Sequence, residues 1–114
     1  MKTDPKFEGK KSYIMSAYVK YMESSGARVV PIIWGEPENV TLDKISHLDG
    51  VLFPGGDGDD YDIGKLVFNE IIKYNDKGHY YPAWGTCLGY ENMIAYTADA
   101  GLDSWGSYDL HMVR

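Results

Sequence analysis

Two apolar runs in this chain stop abruptly at glycine. One is "GVLFPGG", residues 50–56, and the other is "YYPAWGTCLG", residues 80–89. Each apolar part has the length of a short buried strand, and each glycine cluster after it is a turn. Between them Ile63, Leu66, Val67, Ile71 and Tyr74 recur at helical spacing, and Gly78 closes the stripe. Strand, amphipathic helix, strand predicts two parallel strands, because a helix-length link returns the chain to the same end of the sheet. Both glycine turns then fall at the carboxyl ends of their strands, where open α/β sheets bind ligands. They should therefore be neighbours in space.

The pattern extends to both sides. Tyr13, Ile14, Ala17, Tyr18, Tyr21 and Met22 form an earlier helical stripe. With Ser12 as N-cap and Gly26 as the stop, it predicts a helix over 13–25. "ARVVPII", residues 27–33, is β-branched and apolar and reads as a strand. Pro31 donates no ladder bond and belongs at that strand's end or at an edge. Residues 35–50 read as a loop with one helical turn at 43–47, and 88–97 as a last helix. The fold class that follows is α/β with a mostly parallel sheet and helices on its faces. Residues 1–11 are polar, carry Pro5 and Gly9, and read as a loop-like lead to a domain over 12–114.

A chain of 114 residues provides one small domain. Its 44% apolar and 25% charged residues suit a soluble globular chain. No apolar run approaches the roughly 20 residues that span a bilayer, so no membrane partner is expected. The net charge is -6, and no basic cluster exceeds the pair Lys10 and Lys11, which argues against a nucleic-acid partner. The acidic run "GDGDDYD", residues 56–62, starts like a calcium loop. Phe68 stands where the twelfth position, counted from Asp57, needs a glutamate, so the run reads as a solvated loop. One cysteine excludes an internal disulfide and a multi-cysteine zinc site.

That cysteine, Cys87, sits between Gly85 and Gly89 where a strand passes into a helix. A nucleophile on so tight a turn crowds the strand and helix around it, and glycine two positions before and after removes the collision. The amides at a helix N-terminus favour a thiolate. The amide of Leu88 is placed to donate to an oxyanion, and the "PGG" turn can bring a second amide close.

The blocks "SAYVKYMESSGARVVPI", "LDGVLFPGG" and "YYPAWGTCLGYE" resemble, in order and spacing, the gamma-glutamyl hydrolase family of the class I glutamine amidotransferase-like superfamily. The resemblance implies a three-layer α/β/α sandwich and a thiol hydrolase of gamma-glutamyl bonds, with folylpoly-gamma-glutamate as the small-molecule substrate. It implies no cofactor and no metal. Cys87 matches the family's nucleophile, and the amides of Leu88 and Gly56 match its oxyanion hole. Tyr18 falls on the family's "YVKY" tyrosine and is carried over as substrate-binding. Glu91 reads as a first-turn charge of the last helix. By the same analogy the location is lysosomal, vacuolar or extracellular, and "NVT", residues 39–41, is a glycosylation sequon compatible with that route.

The family's base is a histidine in a "His-Pro-Glu" motif downstream of the cysteine. His47 and His79 precede Cys87, and His111 follows it in "DLHMVR". None carries the motif, so the catalytic histidine and its acidic partner are expected to be missing from this chain. The chain then looks like an N-terminal-half fragment, a processed subunit or a non-catalytic paralogue. The partner is either a second copy or a second chain supplying the C-terminal half. A glutaminase domain of a class I amidotransferase is the alternative enzyme.

Overall fold

A computed structural model describes residues 12–56 and 61–98. Their elements run α1 (Ser16–Ser24), α2 (Glu38–Ser46), β1 (Val51–Phe53), α3 (Tyr61–Asp76), β2 (Ala83–Gly85) and α4 (Leu88–Thr97). β1 and β2 pair in parallel, with Val51 opposite Ala83 and Phe53 opposite Gly85. The unit β1–α3–β2 is the crossover that the glycine-stopped runs predict, and α4 packs on both strands and on α3. The α/β class therefore holds, as a partial α/β fold. No described helix is long and apolar enough to cross a membrane.

The core lies where α3 and α4 meet the strands. Tyr96 is its hub, with ring centroids 4.9 Å from Tyr61, 5.5 Å from Phe68 and 6.3 Å from Phe53. Tilted aromatic pairs at such distances add to the area they bury. Val67 and Ile71, one turn apart on α3, are almost fully enclosed and fill the space beneath. A second anchor is Tyr81, whose hydroxyl donates to the Ile45 carbonyl at 3.0 Å while its ring stacks on Tyr74 at 5.3 Å. Burial, followed by Tyr74 and Asp49, pushes the Tyr81 phenol up. This contact ties α2 to the approach of β2.

Three local expectations are corrected. The first helix begins at Ser16, not at residue 13, and its N-cap is Met15, which makes no side-chain cap. Residues 13–15 lie outside the helix, and Met15 is extended. The helical turn at 43–47 is a nine-residue helix, α2. Its signals were present in the sequence: Pro37 directly before it, Glu38 in its first turn, and Thr41, Ile45 and Leu48 at helical spacing. The third correction concerns 27–33, which forms no strand and belongs to no sheet among the described residues. It stands across a groove from β1, and its backbone has no ladder partner among the described residues.

That segment is nevertheless held. Lys44 on α2 donates to the Pro31 carbonyl at 2.9 Å and to Glu36 Oε2 at 2.6 Å, and Thr41 donates to Glu36 Oε1 at 2.8 Å. Burial alone would raise the Glu36 carboxyl, but the hydrogen bonds from Lys44 and Thr41 and the Lys44 charge outweigh it and hold the carboxyl below its ordinary value. A depressed folded value means stability that is present above the unfolded value of about 4.3 and lost as pH falls through the folded one. Urea titrations should find wild type more stable than Glu36→Gln at neutral pH, with the gap closing below about pH 4. A gap that stays constant from pH 7 to pH 3 would contradict this assignment.

Candidate functional site: a cysteine elbow at the end of the parallel strands

The polypeptide turns sharply after β2. The Thr86 amide still donates to the Phe53 carbonyl at 3.1 Å, extending the ladder by one bond. The next residue, Cys87, has φ 54° and ψ -120°, and it is the only non-glycine residue with positive φ among those described. L-residues reach that region rarely and at a cost of about 1–3 kcal/mol, so surrounding structure must impose it. α4 starts at Leu88, and the Glu91 amide closes its first turn on the Cys87 carbonyl at 3.0 Å. Cys87 is a free, exposed thiol at the N-terminus of that helix.

The flanking glycines are required by close approach. A methyl group on Gly85 would lie 2.8 Å from Cα of Tyr90 and 2.6 Å from Sδ of Met93, inside α4. A methyl group on Gly89 would strike the carbonyl of Phe53 at the end of β1 and approach the Pro54 carbonyl at 2.8 Å. One glycine clears the helix and the other clears the neighbouring strand, as the spacing around Cys87 predicts.

The two glycine turns do converge. A methyl group on Gly55 would sit 2.8 Å from Cβ of Cys87 and also 2.8 Å from the Tyr18 hydroxyl. The Gly55 amide donates to that hydroxyl at 3.0 Å. Tyr18, on α1, is thus brought to the elbow from 37 residues upstream of Gly55. The sequence spacing contains no signal for this bond, since it depends on how α1 lies against the sheet. The amides of Leu88 and Gly56 donate to no acceptor among the described residues. Gly56, with φ 130°, sits in a conformation that suits glycine.

Other expected residues lie elsewhere. His47 caps α2, with Nδ1 2.8 Å from the Asp43 carbonyl, and His79 lies beside Tyr74 at 6.2 Å between ring centroids. His47 enters β1 and His79 enters β2, each on the amino side of its strand, whereas Cys87 follows the carboxyl end of β2. Glu91 is in the first turn of α4. His111 and residues 57–60 of the acidic run lie outside the described residues. Among the described residues no three His, Cys, Asp or Glu side chains are grouped to hold a metal ion.

A thiol on a strained strand-to-helix turn, beside unengaged amides, has the geometry of a nucleophile elbow. The Peptidase C26 family model matches residues 1–98. Gamma-glutamyl hydrolase 1 of Arabidopsis thaliana is 44% identical over 85 residues, covering 72% of this chain and 24% of that protein. Gamma-glutamyl hydrolase of Homo sapiens is 44% identical over 86 residues, 71% of this chain and 27% of that protein. Gamma-glutamyl hydrolase B of Dictyostelium discoideum is 38% identical over 95 residues, 78% and 27%. The chain thus spans about a quarter of the length of these relatives. With that match over residues 1–98, this chain belongs to the Peptidase C26 family.

Proposed function

We propose that the protein is a thiol hydrolase that cleaves gamma-glutamyl bonds of folylpoly-gamma-glutamates through a thioester on Cys87. The observation that carries this reading is the strained backbone of Cys87 at the N-terminus of α4, facing the "PGG" turn. The Cys87 thiolate attacks the gamma-carbonyl carbon, and the new C–S bond leaves the negative charge on oxygen. The amides of Leu88 and Gly56 receive that charge. Collapse breaks the C–N bond, and the amine leaves with a proton from a general acid. Water then attacks the thioester, releasing the carboxylic acid and restoring the thiol. Tyr18 binds substrate beside the elbow, its hydroxyl kept in place by the Gly55 amide.

The histidine for both proton transfers comes from outside the described residues, since His47 and His79 lie on the amino side of β1 and β2 while Cys87 follows the carboxyl end of β2. A C-terminal half of the same protein, a second copy of the chain, or a second chain with that half would complete the site. The compartment proposed with this chemistry is lysosomal, vacuolar or extracellular, and Asn39 of the sequon is exposed on α2.

Glutamate release from a folylpolyglutamate tests the proposal. The protein with its full complement of chain should lose more than about 10³-fold of its rate on Cys87→Ala. The 114 residues alone should stay near background. Equal rates for wild type and Cys87→Ala would contradict the role of the thiol.

A further inference from the structure

The sequon Asn39-Val40-Thr41 lies inside α2 and not on a surface loop. Its first and last residues have opposite surroundings. Asn39 is exposed, whereas Thr41 is 0% exposed. The Thr41 hydroxyl donates to Glu36 Oε1 at 2.8 Å, and Lys44 holds the other oxygen of that carboxylate. The Thr41 amide donates to the Pro37 carbonyl at 3.2 Å, in the first turn of the helix. Thr41 is therefore committed to the fold through its hydroxyl, its amide and its burial. Helix geometry separates the pair further. In an extended chain, residues two apart lie on one face, but on a helix they do not face each other. An enzyme that reads the asparagine amide and the threonine hydroxyl together cannot reach both once α2 has formed.

We propose that Asn39 is an N-glycosylation site that accepts its glycan only before α2 forms. The proposal rests on the compartment proposed above, and it adds an order of events to it. The donor is an oligosaccharide on a lipid diphosphate. The bond between sugar C1 and the phosphate oxygen breaks, and a C–N bond forms to Nδ2 of Asn39. That nitrogen gives up one proton, and the lipid diphosphate leaves with it. Thr41 serves twice in sequence: its hydroxyl completes the acceptor in the extended chain, and afterwards it turns inward to bond Glu36. Folding closes the site to further transfer. The folded protein still tolerates the glycan, because Asn39 keeps its exposure on α2 while Thr41 and Ile45 make the buried face. A sequon on a surface loop would impose no such order, since both of its polar groups stay accessible after folding.

The test has two arms. In the first, the chain is translated behind a cleavable secretory leader in the presence of microsomes. A glycan should appear on Asn39 by peptide mapping and vanish in Asn39→Gln, which keeps Thr41 and its bond to Glu36. In the second, purified oligosaccharyltransferase and its lipid-linked donor are given either the chain made without glycan or a synthetic peptide of residues 34–46. The chain is used once hydrogen exchange shows the amides of α2 protected. The peptide should be modified about tenfold or more faster than the folded chain, because the chain must first open α2. No glycan on Asn39 in the first arm, or equal rates for chain and peptide in the second, would each overturn the proposal. The leader and the transferase are both supplied, so neither result depends on the natural compartment or on hydrolase activity.

Discussion

Gly89→Ala is expected to destabilise the domain by about 2 kcal/mol, against the usual sign for such a change in a helix. Inside a helix alanine is ordinarily better than glycine by about 1 kcal/mol, because glycine loses more backbone freedom on folding. Here the added methyl group meets the carbonyl of Phe53, part of the backbone of β1. No rotamer change relieves a clash with backbone, so either α4 lifts from the strand or the ladder at Phe53 opens. Both routes disturb Thr86, whose amide donates to that same carbonyl. Steric cost therefore outweighs helix propensity roughly threefold by these magnitudes. Chemical denaturation of Gly89→Ala against wild type checks the sign. A variant as stable as wild type, or more so, would mean that α4 does not sit this close to β1.

Cys87 itself should show a function–stability conflict. At most positions alanine is more stable than glycine by about 0.5–1 kcal/mol. At φ 54° the order should invert, because any Cβ is strained there and glycine is not. Cys87→Gly is expected to be more stable than Cys87→Ala by about 1 kcal/mol, while both lose the thiol. Paired urea titrations of the two variants measure this difference. Equal stabilities, or alanine ahead, would show that the elbow is not held in its strained form.

The elbow was legible in the sequence because its constraints are local. Gly85, Cys87 and Gly89 are fixed by spacing, and the crossover through α3 follows from two apolar runs with a helical stripe between them. The convergence of the "PGG" turn on Cys87 follows in turn from parallel pairing. α2 was hidden for a different reason: its core face rests on two buried residues, Thr41 and Ile45, and one of these is polar. Thr41 is enclosed because its hydroxyl bonds Glu36, a partner that hydropathy patterning does not register. The strand expected at 27–33 shows the opposite limit. Its residues have strand character, but a strand is defined by a paired edge, and no pairing is written into the segment itself. The Tyr18–Gly55 bond likewise depends on tertiary placement of α1.

The reaction reading stands or falls on whether Cys87 carries an acyl group during turnover. Rapid acid quench of the protein with folylpolyglutamate, followed by peptide mapping, reads this directly. The account predicts a mass increase equal to the acyl portion of the substrate on the peptide containing Cys87, absent from Cys87→Ala. Glutamate release that continues with Cys87 unmodified, or that persists in Cys87→Ala, would contradict it.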